Sequence, residues 1–177
     1  MKVLNFEPTP NPHAMKFNVD GRLIEGGSRS FDTPSAADGD RLATSLFALG
    51  RVHSVFYMPG FVTVNKSPEA DWGSLAPAIA RVIETTAEGL APSAAARGAA
   101  TGDALLDRIH EVIDAQIRPA LAGDGGGLDV VSFDELTLTI RYQGACGSCP
   151  SSVSGTLMAI QNLLQAEVDE RLTVVAA

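Results

Sequence analysis

A fourteen-residue segment near the middle of the chain limits what the rest can fold into. Residues 89–102 read GLAPSAAARGAATG and contain one leucine, one arginine and otherwise only small residues and Pro92. A core could bury almost none of this, and proline and glycine disfavour a continuous helix. The segment is therefore typical of a flexible linker. The 177-residue chain is predicted to form two small domains, residues 1–88 and 103–177, each with its own core.

Composition and charge exclude several classes of protein. Hydrophobic residues make up 45% of the chain and charged residues 19%, which is enough apolar material for packed cores. The net charge is −8, and it is uneven: residues 1–102 carry ten acids and nine bases, whereas residues 103–177 carry eleven and four. This balance argues against a nucleic-acid or anionic-membrane partner. No membrane-length apolar run, signal peptide or transit peptide is recognisable, so a cytoplasmic protein is expected.

The first half reads as a small α+β domain. AMKFNV alternates as a strand does, and DRLATSLFALG has the apolar spacing of a short helix that ends before Gly50. VHSVFYM and FVTVN are strand-like runs around a Pro59-Gly60 turn, and a second helix is predicted over residues 74–87, with Pro77 in its first turn. We find no catalytic constellation in this half. Partner recognition is the role that this leaves for it.

The second half is predicted to be a second α+β domain, with the order helix, strand, strand, helix, strand. Its helices are ALLDRIHEVIDAQIRPAL and VSGTLMAIQNLLQ, and its strands are LDVVSF, LTLTIRYQ and RLTVV. The glycine-rich residues 123–127 (GDGGG) lack the spacing of a phosphate loop. They are interpreted as the end of a helix, with close approach of the backbone to a bound group or a partner as the alternative.

The two cysteines of the chain lie together at a predicted strand-to-helix junction. Cys146 and Cys149 are separated by two residues, and Pro150 suits the first position of the following helix. Cys149 then lies near a helix N-terminus, which favours the thiolate. Two residues between thiolates is a spacing that one tetrahedral metal ion or one iron–sulfur cluster accepts. Cys146 and Cys149 are the candidate metal and cofactor ligands, and no catalytic residue is assigned.

The pair alone leaves several interpretations open. A thioredoxin-like thiol oxidoreductase has a similar pair at a helix start, but it needs a βαβ frame of roughly a hundred residues. Here the motif follows an apparent antiparallel hairpin in a domain of about 75 residues. A structural zinc ion wants four protein ligands and would need a dimer. Two inert core cysteines would not need the glycine and proline around them. A cluster held by four thiolates needs two chains. Such a half-site predicts a cluster that bridges a homodimer.

Longer stretches around the cysteines resemble a known family. RIHEVIDAQIRPALAGDGGGLDVVSF followed by LTLTIRYQGACGSCPSSVSGTL resembles the C-terminal domain of NifU, the Nfu-type iron–sulfur carrier domain. TPNPHAMKF, SVFYMPGFVTV and DWGSLAPAI resemble the Nfu N-terminal domain. The resemblance therefore spans almost the whole chain. Gly127 departs from it, because the family's D-G-G run usually continues with an acidic residue.

This resemblance implies a carrier protein and not an enzyme. It implies a [4Fe-4S] cluster, one per homodimer, with Cys146 and Cys149 of each chain as ligands, and it leaves a [2Fe-2S] form open. An assembly scaffold or an A-type carrier would donate the cluster, and apo iron–sulfur proteins would receive it. The scaffold and ferredoxin domains of full-length NifU have no counterpart here, so cluster assembly from a sulfur donor is not expected.

Overall fold

The computed structural model describes residues 1–86, 103–147 and 150–177, without the side chains of residues 150–154. The chain divides into two compact units, Met1–Ala95 and Ala96–Ala177. The predicted linker and Cys149 lie outside the described residues. Within the described part, no helix is both long enough and apolar enough to cross a membrane.

The N-terminal unit is an antiparallel five-stranded sheet with two helices, in the strand order β1-β2-β5-β4-β3. Its elements along the chain are β1 (Val3–Pro8), β2 (Ala14–Val19), β3 (Arg29–Phe31), α1 (Arg41–Phe47), β4 (Val52–Met58), β5 (Phe61–Lys66) and α2 (Trp72–Thr86). Apolar side chains of both helices and of the three central strands form one buried core. The predicted helix–hairpin–helix order is confirmed, whereas the two edge strands β1 and β3 were not predicted.

The second helix begins earlier than its apolar pattern suggests. The Asp71 side chain accepts a hydrogen bond from the Ser74 N–H at 3.0 Å, and this cap starts α2 at Trp72. Pro77 is then the sixth residue of the helix and not part of its first turn, so that prediction is wrong. Pro77 is exposed. The backbone acceptor that its missing N–H leaves without an intrahelical partner is the carbonyl of Gly73, which is also an exposed residue.

The C-terminal unit has the predicted order of elements. They are α3 (Ala104–Val112), a π-helical turn (Ile113–Ile117), α4 (Arg118–Gly123), β6 (Gly126–Asp134), β7 (Thr137–Gly144), α5 (Pro150–Glu167) and β8 (Thr173–Ala176). Asp103 caps α3 through hydrogen bonds from two backbone N–H groups. Side chains from every one of these elements build one core. The α+β class and the order α-β-β-α-β are confirmed.

The three strands of this unit combine two kinds of pairing. β6 and β7 form an antiparallel hairpin, and β8 runs parallel to β7. The helix α5 connects the two parallel strands, so β7, α5 and β8 make a βαβ unit. The sequence predicted the hairpin and both later elements but not the parallel pairing.

Candidate functional site

Cys146 lies in the connection between β7 and α5, as predicted. The Ala145 N–H donates to the Gly125 carbonyl at 3.2 Å, and the Gly147 N–H donates to the Gly144 carbonyl at 3.3 Å. The first bond ties this connection to the residue that precedes β6. Gly144 has φ of 66°, in the left-handed region that glycine adopts without strain, and this turns the chain away from the sheet after β7. The backbone on both sides of Cys146 is therefore fixed.

The sulfur of Cys146 occupies the space of a missing side chain. Gly126 is the register partner of Gly144. A Cβ atom built on Gly126 would lie 2.5 Å from the Cys146 Sγ, 3.0 Å from the Gln143 carbonyl oxygen and 3.1 Å from the Cys146 Cβ. The first distance is shorter than real Cβ contacts and the other two are tighter than most, so a side chain at Gly126 would force the thiol or the backbone beside it to move. The glycine-rich run ends α4 at Gly123 and leads into β6, so its interpretation as a helix end is confirmed. The close approach at Gly126 is to Cys146 of the same chain, and approach to a bound group or a partner stays a prediction.

Alternation along the strands places this sulfur on the inner face of the hairpin. Gly126 and Leu128 point to one face of β6, and their partners Gly144 and Tyr142 point to the same face of β7. Leu128 is fully buried in the core of this unit, and Cys146 packs against that core. On the opposite face, the Gln143 amide donates a hydrogen bond to the Asp129 carboxylate. Cys146 is thus half-buried at one end of the core.

The long first helix of the unit is fastened to the strand under the cysteine. The Arg118 Nη1 donates to the Leu128 carbonyl at 2.8 Å, and its Nε donates to the Asp114 carboxylate at 2.6 Å. The Arg118 backbone N–H reaches the Ile113 carbonyl, five residues back, which is the wide spacing of a π-helical turn. Pro119 follows at once, where a regular helix would lose a hydrogen bond. The I-R-P motif therefore positions β6 and, with it, Gly126.

Tyr142 lies beside the cysteine on the same face. Burial, followed by negative charge on Cys146, raises the pKa of its phenol to about 12. The phenol therefore keeps its proton throughout the physiological range and is available as a hydrogen-bond donor. Sequence reasoning did not single out Tyr142. The sequence signal that could have identified it is its place in the run TIRYQGAC, two residues before Gly144, at which the strand ends.

The described residues contain no group of three or more His, Cys, Asp or Glu that could hold a metal ion. His13, His53 and His110 are accordingly in no such group of described residues. Cys149, the second predicted ligand, and Ser148 lie outside the described residues. The side chains of Ser151 and Ser152, which also follow the motif, are not described either. Of the two predicted ligands, the structure therefore positions Cys146.

One argument against a thiol oxidoreductase has to be corrected. The sequence indicated that the cysteine motif lacks a βαβ frame. The β7–α5–β8 unit is such a frame, and the motif lies directly before its helix. The antiparallel hairpin that precedes the motif is also present. The βαβ unit therefore removes one part of that argument, whereas the preceding hairpin and the size of the domain, about 75 residues, still count against a thioredoxin-like protein.

The N-terminal unit has a buried polar network that the sequence did not reveal. The Asp40 carboxylate, 5% exposed, accepts hydrogen bonds from the Ala43 N–H, the Arg29 guanidinium and the Tyr57 hydroxyl. Burial and the bond to Asp40 raise the pKa of Tyr57. An open cleft of about 410 Å³ lies above the network between β3 and residues 38–40. The network joins α1 to β3 and β4, which gives it a structural role.

Two families match this chain. The family described as "Scaffold protein Nfu/NifU N terminal" matches residues 4–89, and the family described as "NifU-like domain" matches residues 109–175. The chain belongs to the Nfu/NifU-like family. The resemblance seen in the sequence motifs is confirmed, and the two matches lie one in each of the halves that the sequence suggested.

Curated relatives match along most of the chain. The human protein "NFU1 iron-sulfur cluster scaffold homolog, mitochondrial" is 37% identical over 172 residues, which cover 93% of this chain and 67% of the relative. "NifU-like protein 4, mitochondrial" of Arabidopsis thaliana is 33% identical and is covered to 62%. The chain thus spans about three fifths to two thirds of the length of these relatives. Their names place them in mitochondria, whereas the cytoplasmic location of this chain stays a prediction.

A solved structure is also similar. The solution NMR structure of a NifU-like protein from Saccharomyces cerevisiae shares 23% sequence identity with a TM-score of 0.41, and the match covers 48% of this chain and 79% of that one.

Proposed function

We propose that this chain carries a [4Fe-4S] cluster, bound between two copies of the protein, and transfers it to apo iron–sulfur proteins. The proposal is supported by membership of a family whose relatives are named iron–sulfur cluster scaffolds. The single observation that carries it is the position of Cys146. Its sulfur atom occupies the space that Gly126, which has no side chain, leaves open at the rim of the core. The role is that of a scaffold and carrier, not of an enzyme.

The ligand set follows from thiolate counting. Each chain has two cysteines, Cys146 and Cys149, and a cubane cluster is usually held by four thiolates. Two chains related by a two-fold axis supply four at one shared site. The same four thiolates also suit a [2Fe-2S] cluster, so the cluster type has to be measured. The cluster is cargo in this scheme, and a site at the edge of a core suits release.

The half-buried position of Cys146 fits such cargo in two ways. Packing against the core holds one side of the thiol, which orients it without enclosing it. The sulfur occupies the position of the Cβ that Gly126 lacks, so strand β6 holds it from a second side. A cluster also requires deprotonated cysteines, so loading releases protons and strengthens as pH rises.

Reconstitution under anaerobic conditions with iron and sulfide tests this function. We expect about four irons per dimer and a broad visible absorption band. Binding should shift the protein from a smaller species to a dimer in light scattering, because a ligand that bridges two chains favours the dimer by mass action. Four irons on a protein that stays monomeric would contradict the bridging site. A colourless protein after reconstitution would contradict cluster binding altogether.

In this proposal the C-terminal unit binds the cluster and the N-terminal unit recognises the client protein. Residues 103–177 carry eleven acids and four bases, so they do not attract acidic clients unaided. Residues 1–102 are nearly balanced, with ten acids and nine bases, and the N-terminal unit selects the client. The donor is an assembly scaffold or an A-type carrier. The fourteen-residue segment would keep the cluster within roughly 20 Å of a docked client, which raises its effective concentration to about the millimolar range.

Transfer kinetics test that division. We expect residues 103–177 alone to load a cluster but to deliver it more slowly than the whole chain to a client at micromolar concentration. The gap should narrow as the client concentration approaches the millimolar range, where tethering no longer helps. Equal second-order rates for the two proteins at micromolar client would contradict a recognition role for the N-terminal unit.

A thiol oxidoreductase is the second candidate, and the βαβ frame around the cysteine motif favours it. In that case Cys146 would attack a disulfide of the substrate, form a mixed disulfide and be released by Cys149, so that the protein disulfide is formed and the substrate is reduced. Reduction of insulin disulfides by the dithiol protein tests this. Catalysis at thioredoxin-like rates by a protein that takes up no cluster would put this candidate first.

A further inference from the structure

The hydroxyl of Tyr142 is a buried donor without an acceptor. Its oxygen is out of contact with solvent and has no hydrogen-bond partner among the described residues. Buried tyrosine hydroxyls usually have a partner, because leaving one unpaired costs the full desolvation of the group. An unpaired buried group in a native structure therefore needs an explanation, and a role in the chemistry of a nearby site is one of them.

The strand register brings this hydroxyl group near the cysteine. Tyr142 pairs with Leu128, and the next rung on the same face is the glycine pair Gly126–Gly144. Rungs on one face are about 7 Å apart along a strand, which is close to the length of a tyrosine side chain. The Cys146 sulfur fills the side-chain position of Gly126. Sulfur and phenol therefore lie on one face, one rung apart, and both pack against the same core.

The chemistry of the two groups changes when the cysteine binds metal. A thiol is a weak acceptor, whereas a thiolate or a metal-bound thiolate sulfur accepts strongly from a neutral donor. The buried phenol hydroxyl of Tyr142 is such a donor. The acceptor that Tyr142 lacks would thus come into being at the moment of loading.

We propose that the Tyr142 hydroxyl donates a hydrogen bond to the Cys146 sulfur when that sulfur carries the cluster. Tyr142 is then a positioning residue that acts through Cys146. A hydrogen bond to a ligand sulfur stabilises the electron-rich cluster, raises its reduction potential and slows its loss. The inference rests on the proposed function, and it adds a group that controls how readily the cargo leaves.

Tyr142→Phe tests this, with Tyr57→Phe as the matched control, since each removes one buried hydroxyl oxygen. Wild-type, Y142F and Y57F proteins are reconstituted, and cluster loss to an iron chelator, midpoint potential and urea unfolding of the apo proteins are measured. We expect Y142F to lose its cluster about tenfold faster and at a lower potential, with apo stability no lower than wild type. Y57F should lose apo stability, because its hydroxyl donates to Asp40, and keep the wild-type rate of cluster loss.

The outcomes separate this inference from the function on which it rests. If wild type takes up no cluster, the proposed function fails. If wild type loads and Y142F loses its cluster less than about threefold faster, the function stands and the role of Tyr142 is overturned. A Y142F protein that no longer folds would also overturn it, because the hydroxyl would then serve the apo fold. A folded Y142F protein that cannot retain a cluster supports it.

Discussion

The two units of this chain place polar and reactive groups in their interiors in different ways. In the N-terminal unit, Asp40 is surrounded by three donors, and its carboxylate joins a helix to two strands. In the C-terminal unit, the Cys146 thiol rests where Gly126 has no side chain, and the nearby Tyr142 hydroxyl has no partner among the described residues. The first arrangement is closed by its own hydrogen bonds. The second keeps a half-buried thiol and a hydroxyl donor that a bound group can use.

The difference indicates which unit can change state. Breaking the Asp40 network leaves charges and hydroxyls unpaired, so the N-terminal unit should be rigid around it. At Cys146 the fold supplies orientation, through the Arg118 bond to Leu128 and the bond from Ala145 to Gly125, but leaves the sulfur half-exposed. Substitutions at the two places should therefore affect different quantities: stability in the first unit and cluster binding in the second.

The largest effect is expected from removal of a ligand. Cys146→Ala or Cys149→Ala should abolish stable cluster binding, because each dimer is left with two of four thiolates. The apo fold should survive, since helix stripes and strands build the core and Cys146 contacts only its edge. Iron content and urea unfolding measured on the same samples check both statements. A single variant that retains full iron content would show that another residue is a ligand.

Removal of the Asp40 carboxylate should have the largest effect on stability. Asp40→Ala deletes the cap of α1 and leaves Arg29 and Tyr57 without their shared acceptor. We expect the N-terminal unit to lose about 2–4 kcal/mol in its free energy of unfolding. Hydrogen exchange resolved by residue should place the loss in residues 1–86. Iron uptake should equal that of wild type, and reduced uptake by the folded variant would contradict the separation of roles.

A side chain at Gly126, under the Cys146 sulfur, should reduce both the stability of the C-terminal unit and its retention of the cluster. Gly126→Ala places a methyl group 2.5 Å from the sulfur and 3.0 Å from a backbone oxygen, so the turn has to move. We expect a loss of about 1–3 kcal/mol from the C-terminal unit, together with weaker cluster retention. Gly123→Ala is the control, because no atom lies within 4 Å of the Cβ that it would add. Similar behaviour of the two variants would mean that the close approach at Gly126 is not what matters.

The sequence predicted most of this fold from periodic apolar residues, and it failed where tertiary contacts decide. The stripe on α5 follows from burial of one face, and the continuous runs of β4 and β5 follow from burial of consecutive residues, so both are visible in the chain. β1 is mostly exposed and ends at Pro8, and β3 has three residues in a polar stretch, so neither has a pattern. They are strands because β1 pairs with β2 and β3 pairs with β4.

The candidate site was predictable in its ligand but not in its surroundings. Spacing and flanking glycine and proline singled out Cys146. The close approach of Gly126 to its sulfur depends on the register that pairs Gly126 with Gly144. A register cannot be predicted from either strand alone. The π-helical turn before Pro119 is likewise invisible, because its residues keep a helical apolar pattern. The contacts made by motifs such as D-G-G and I-R-P are therefore visible only in the folded unit.

The smallest expected effect concerns the hairpin that aligns the two strands under the cysteine. Its two-residue loop holds Glu135 and Leu136 at φ of 44° and 68°, where asparagine and glycine are favoured and other residues are strained. Glu135→Asn should stabilise the C-terminal unit by about 0.5–1 kcal/mol, seen as slower hydrogen exchange in β6 and β7 and unchanged exchange in residues 1–86. Glu135→Gln removes the same charge but keeps the strain, so it should give no gain. Equal stabilisation by both variants would mean that relief of charge repulsion in this acidic unit, and not relief of backbone strain, is responsible.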